Sequence, residues 1–129
     1  MIKIKINQKV NPQDIEGERK FYGVTVSSGA LTVRQLAKQI SKETTIGTPD
    51  VMAVIEAFLQ DIPEYLLEGK IINLRDFGSF RLTVSGEGSA TAEEYNTNLI
   101  SKTNLHFRPS REFKDSLKSA VFHKIPVNN

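Results

Sequence analysis

Ile2, Ile4 and Ile6 alternate with Lys3, Lys5 and Asn7, the two-residue period of a strand with one covered face. A polar stretch carrying Asn11-Pro12 and Gly17 separates them from "KFYGVTVSS", a second run rich in aromatic and β-branched residues, so the N-terminus reads as a β-hairpin. The period then changes. Val33, Leu36, Ala37 and Ile40 fall at helical spacing behind Thr32, with Gln35 placed to complete a capping box, which predicts a helix running to about Thr44. A second helix is marked by Thr48 as N-cap, Pro49 at the first helical position, Asp50 in the first turn and Gly69 as terminator. Its apolar stripe is Val51, Val54, Ile55, Phe58, Leu59 and Ile62. Pro63 removes an amide donor near the end, so the last turns are expected to kink while continuing to Leu67 or Glu68.

Strand alternation returns at Ile71 to Arg75 and again at Phe80 to Val84, on either side of Asp76-Phe77-Gly78. The stretch "SGEGSATAEEYNTN", residues 85 to 98, is polar and rich in turn residues, and "LISKTNLHFRP" resumes as a strand. Ser110 caps a predicted final helix in which Phe113, Leu117, Ala120 and Val121 share one face. The expected class is therefore α+β: an N-terminal hairpin, two helices, a three-stranded antiparallel sheet with a long arm, and a C-terminal helix.

With 129 residues, 39% of them hydrophobic, the chain is long enough for one domain with a core. It has no cysteine and no apolar run near 18 residues, and its first residues lack a signal peptide's continuous apolar stretch. Disulfide scaffolds, thiolate zinc sites and membrane helices are thereby excluded, and the expected location is the cytoplasm.

The net charge of +2 is unevenly distributed. Residues 49 to 69 carry −5 and residues 85 to 101 carry −3, whereas 70 to 84 carry +2 and 102 to 118 carry +3. Acidic and basic charge thus fall on different predicted elements, with Lys102, Arg108, Arg111, Lys114 and Lys118 following Arg75 and Arg81 as the basic set.

The segments "LLEGKIINLRDFGSFRL" and "HFRPSREFKDSLKSAV", in that order, resemble the HU/IHF family of bacterial architectural DNA-binding proteins: a glycine-ended helix, a strand, a Phe-Gly-x-Phe turn, then the last strand and helix. The similarity runs from about Leu31 to Val121, and with its N-terminal strands the chain resembles the HU-related proteins of Bacteroides. The resemblance implies an intertwined homodimer, with a saddle of sheet over two helical pairs and two arms reaching round double-stranded DNA. It divides the chain into an extension at 1–30, a DNA-binding domain at 31–124 with its arm at about 85–101, and a tail at 125–129. Phe58, Phe77, Phe80 and Phe107 would be the dimer core, and Ile2, Ile4 and Ile6 would cover apolar surface on the dimer body.

Under that resemblance Arg75, Arg81, Lys102, Arg108, Arg111, Lys114 and Lys118 are the candidate DNA contacts, directed at phosphates and hence salt-sensitive and largely independent of sequence. The plainer alternative is solvated charge partnered by Glu112 and Asp115. The arm departs from the family pattern. DNA-bending members carry basic arms with a proline wedge, but Ser85 to Ser101 has no proline, lysine or arginine and holds Glu87, Glu93 and Glu94. Mild bending is therefore expected instead of a sharp kink, with Tyr95, Leu99 and Ile100 packing the arm on its own dimer.

Catalytic readings find little support. His106 and His123 lack metal-ligand spacing, "SGEGS" lacks the ending of a phosphate loop, and no nucleophile, base and orienting group stand together. No metal, cofactor or small-molecule substrate is expected. The sequence therefore favours a non-enzymatic, nucleoid-associated DNA-binding homodimer. The alternative is an HU-like structural module that meets a protein through its hairpin or acidic arm.

Overall fold

The computed structural model describes residues 1–9 and 12–126. In chain order its elements are β1 (Ile2–Lys9), β2 (Lys20–Val26), α1 (Val33–Glu43), α2 (Thr48–Leu67), β3 (Ile72–Asn73), β4 (Gly78–Gly86), β5 (Ile100–Pro109), α3 (Arg111–Ser116) and β6 (Phe122–Lys124). The chain forms two compact units, one of Met1–Thr32 with Lys118–Asn129 and one of Val33–Leu117.

The first unit is a three-stranded sheet in the order β2-β1-β6. The expected hairpin is present, β1 and β2 running antiparallel from Lys3 opposite Val26 to Lys9 opposite Lys20. Of its connecting loop, Asn11 lies outside the described residues. The third strand is a correction to the sequence reading, which carried the last helix through Val121. That helix stops at Ser116, whose hydroxyl donates to the Phe113 carbonyl at 2.6 Å, and one 3-10 turn, Leu117–Ser119, follows. The chain then extends and pairs in parallel with the free edge of β1, Ile2 opposite Phe122 and Ile4 opposite Lys124. Two further bonds close the edge, from Ile2 N to the Val121 carbonyl at 2.8 Å and from Ile125 N to the Ile4 carbonyl at 2.9 Å. Strand pairing on both sides satisfies the amides and carbonyls that an edge β1 would leave open. Ala120 and Val121 accordingly leave the helical face assigned to them. Of the predicted tail, residues 127–129 lie outside the described set.

In the second unit, α1 and α2 pack together and α2 also meets β3 and β4. Helix α2 begins at Thr48, so the N-cap is Gly47 and not Thr48: Gly47 is extended (φ −70, ψ 153), makes no side-chain cap bond, and its carbonyl receives Val51 N at 3.1 Å. Thr48 already has helical backbone, and Pro49 moves one place further in, where its missing amide still costs no helical bond. Pro63 is carried inside the helix, as expected. Gly69, with φ 82, ends the helix where its amide bonds to the Leu66 carbonyl at 3.0 Å.

Strands β3, β4 and β5 form the second, antiparallel sheet. Buried hydrophobic residues in this unit are Ala37, Val51 and Leu66, while Val54, Phe58 and Leu59 on α2 remain 68%, 45% and 52% exposed. At the end of β4 the register shifts between Ser85 and Gly86. The arm then begins, its base fastened by bonds from Ser101 Oγ to the Ser85 carbonyl (3.1 Å) and from Asn104 Nδ2 to Ser85 Oγ (2.7 Å). A 3-10 turn at Thr97–Leu99, capped by Asn96, leads back into β5.

Candidate nucleic-acid interface

Alternation along the strands separates the second sheet into two chemical faces. Phe80 lies opposite Phe107 and Ile72, and Leu82 opposite Leu105, on one side. On the other, Ser79 lies opposite Arg108 and Asn73, Arg81 opposite His106, and Ser85 opposite Lys102. The apolar side carries an aromatic cluster. Phe107 is 4.7 Å from Phe80, 5.4 Å from Phe77 and 6.4 Å from Phe113 between ring centroids, and Phe113 meets Phe77 edge-on at 4.9 Å. Three of the four aromatic residues proposed for a dimer core therefore already meet one another within one chain. Phe58 stands apart on α2.

Gly78 explains the Phe-Gly-x-Phe spacing. It has φ 150, and a Cβ there would fall 2.5 Å from the Arg108 carbonyl oxygen and 2.7 Å from the Phe107 ring. A side chain is excluded both by conformation and by the approach of β5. The preceding turn is tight, with Phe77 N bonded to the Leu74 carbonyl (3.0 Å) and Leu74 N to the Gly78 carbonyl (2.8 Å). It holds Arg75 at φ 52, unusual for a residue with a side chain. This turn shortens the expected 71–75 strand to Ile72–Asn73.

Ser110 joins that turn to α3. Its amide bonds to the Phe77 carbonyl at 3.1 Å, its hydroxyl donates to the Asp76 carbonyl, and the same oxygen accepts from Phe113 N at 3.0 Å. The predicted N-cap is thus confirmed, and it also fixes the start of α3 beside the β3–β4 turn.

These connections create an open groove of about 420 Å³ whose lining includes Arg75, Arg81, Arg108, Arg111 and Lys114. The uncharged lining residues Asn73 and Ser79 contribute an amide and a hydroxyl, while the Ser110 hydroxyl is already committed to the Asp76 carbonyl. Arg81 is half-buried and the other four cations are exposed. Among the described residues none of the five has an ion-pair partner, whereas Lys70 is paired with Glu68 at 3.2 Å. Five cations without counter-charges, set among hydrogen-bonding groups, suit an extended polyanion whose phosphates accept both charge and hydrogen bonds.

The groove gathers five of the seven predicted contacts. Lys102 is outside it but shares the same sheet face, two places beyond Asn104 toward the arm. Lys118 belongs to the other unit. Asn73, Ser79 and Ser110 were absent from the predicted set; the alternation in β3 and β4 places the first two on the arginine face once the register is known. Among the described residues there is no group of three His, Cys, Asp or Glu side chains that could hold a metal, and no helix long and apolar enough to cross a membrane.

Comparison with known proteins agrees with this fold. Residues 1–124 match the HU-HIG family, described as "HU domain fused to wHTH, Ig, or Glycine-rich motif". The chain is 30% identical to integration host factor subunit beta of Halorhodospira halophila over 77% of its own length and 99% of that protein. It is 26% identical to the Marinobacter nauticus subunit beta over 70% and 96%. A crystal structure from Bacteroides vulgatus, described as a candidate bacterial DNA-binding protein, shares the fold with a TM-score of 0.63 at 11% identity. That alignment covers 96% of this chain, which spans 48% of the longer protein. The class is that of the HU/IHF DNA-binding proteins. Within it, the chain belongs to the HU-HIG family.

Proposed function

We propose that the chain is an architectural DNA-binding protein of the bacterial nucleoid, acting as a homodimer that holds double-stranded DNA through phosphate contacts. The observation that carries this reading is the groove. Arg75, Arg81, Arg108, Arg111 and Lys114 converge on it without acidic partners among the described residues. Arg111 and Lys114, three residues apart, lie on one side of α3. Binding of this kind neutralises phosphates without reading base edges, so it depends strongly on salt and weakly on sequence.

The homodimer is supported by what one chain leaves uncovered. Besides the exposed stripe of α2, Leu105 on the apolar sheet face is 63% exposed. Ile62, Pro63, Leu66, Leu67, Leu82 and Leu105 line an apolar groove of about 300 Å³ between α2 and that sheet. A second copy would cover these residues with like surface, and Phe58, Phe77, Phe80 and Phe107 would join the shared core. The acidic arm stays away from phosphates in this account, so the bend it imposes is mild.

The test is a mobility shift on mixed-sequence duplex at low and moderate salt, with wild type and with Arg111→Glu/Lys114→Glu. Retardation that falls steeply with salt and with charge reversal supports the proposal. No retardation at low salt would refute it and favour a protein-interaction module built on the same fold.

A further inference from the structure

The net positive charge of the chain resides outside the unit that holds the groove. Met1–Thr32 with Lys118–Asn129 contains seven basic and three acidic residues, net +4, whereas Val33–Leu117 contains ten basic and twelve acidic, net −2. Strand pairing determines where much of that charge points. In β1, Ile2, Ile4 and Ile6 occupy one face and Lys3, Lys5 and Lys9 the other. Register with β2 sets Phe21, Gly23 and Thr25 on the isoleucine face, and a Cβ at Gly23 would meet Ile4 Cγ2 at 2.9 Å, so Ile4 lies across that glycine. Phe122 of β6 pairs with Ile2 on the same side. The apolar residues of this sheet thus collect mainly on the isoleucine face.

On the lysine face, Val26 is opposite Lys3 and Val24 opposite Lys5, and both valines are half-buried. Aliphatic lysine stems lying along such valines leave the ammonium groups in solvent. Lys9 faces Lys20 directly. Like charges in that relation destabilise a strand pair. None of Lys3, Lys5, Lys9 and Lys20 has an ion-pair partner among the described residues. Lys3 to Lys9 spans about 20 Å along the strand, and duplex DNA presents one phosphate charge per about 1.7 Å of its axis. An anion lying across Lys9 and Lys20 would turn their mutual repulsion into joint attraction.

We propose that Lys3, Lys5, Lys9 and Lys20 form a second contact surface for the phosphate backbone of double-stranded DNA, separate from the groove. The proposal rests on the reading that this chain takes duplex DNA, and it makes each chain bivalent for that ligand. It gives the N-terminal strands a part in DNA binding.

The test uses the full chain and a fluorescent mixed-sequence duplex, followed by anisotropy across a salt series. Lys3→Gln/Lys5→Gln/Lys9→Gln/Lys20→Gln should bind more weakly, with a log K against log salt slope shallower by up to about 0.9 per lysine. The corresponding four-arginine variant keeps the charge and should retain affinity and slope, which separates charge from folding. A glutamine variant with wild-type affinity and slope overturns the proposal. If that variant is unchanged while Arg111→Glu/Lys114→Glu loses binding, the groove stands and the second surface falls. The opposite pattern keeps the lysine face and removes the groove, and a wild type that binds no duplex at low salt removes both.

Discussion

Phe80 and Phe107 are cross-strand partners whose rings stack with centroids 4.7 Å apart and planes inclined by 28°. Phe107 also touches Phe77 and Phe113, so one side chain links the β3–β4 turn, β5 and α3. Phe107→Ala removes the centre of this cluster. It should cost about 3 kcal/mol, the lower end of the range for a large aromatic because the residue is only half-buried in one chain. Chemical denaturation checks this; a loss below about 1 kcal/mol would mean that the cluster does not organise the sheet.

Arg75 separates function from stability. Its φ of 52 carries a strain of about 1 to 2 kcal/mol that glycine would relieve, offset by about 0.5 to 1 kcal/mol of added freedom in the unfolded chain. Arg75→Gly should therefore leave the melting temperature equal or slightly higher while weakening DNA binding through loss of one groove cation. Reduced stability would show that the arginine side chain contributes structurally; unchanged affinity would remove it from the interface.

Phe58 is the test of the dimer. It lies on the α2 stripe, 45% exposed, between Val54 and Leu59, which are more exposed still. Phe58→Asp places a charge where a second copy is proposed to pack. Sedimentation velocity should shift from a dimer toward a monomer, and melting of the wild type should rise with protein concentration. A wild type that sediments as a monomer at micromolar concentration contradicts the homodimer.

The arm offers a gain-of-function check. Glu93 and Glu94 lie in an arm segment without a single lysine or arginine. If repulsion keeps this segment off the phosphates, Glu93→Lys/Glu94→Lys should tighten binding and steepen its salt dependence. Identical titration curves would place the arm beyond the reach of DNA.

Much of this architecture follows from local patterns. The isoleucine alternation, the stripes of α1 and α2, the Gly69 stop and the Ser110 cap each depend on neighbours within a few residues, and each falls in the element expected of it. The pairing of β6 with β1 is different in kind. Phe122 to Lys124 is too short for a readable period, and its partner stands at the opposite end of the sequence. Thr48 failed as a cap because Gly47 can take the same extended conformation one residue earlier. For the interface, charge segregation marks the basic elements, and it is the family resemblance that makes their cations candidate DNA contacts. That Arg108 falls beside Ser79, or Lys9 beside Lys20, is a matter of register, which composition does not encode.

The central claim is that cations on one sheet face hold DNA phosphates, and the salt dependence of binding measures that number directly. Arg81 and Arg108 should be replaced together by glutamine, and the affinity for mixed-sequence duplex compared with wild type across a salt series. The account predicts weaker binding and a log K against log salt slope shallower by about 1.8 per chain. A slope identical to wild type would show that neither arginine meets a phosphate, and would contradict the assignment of this face to DNA.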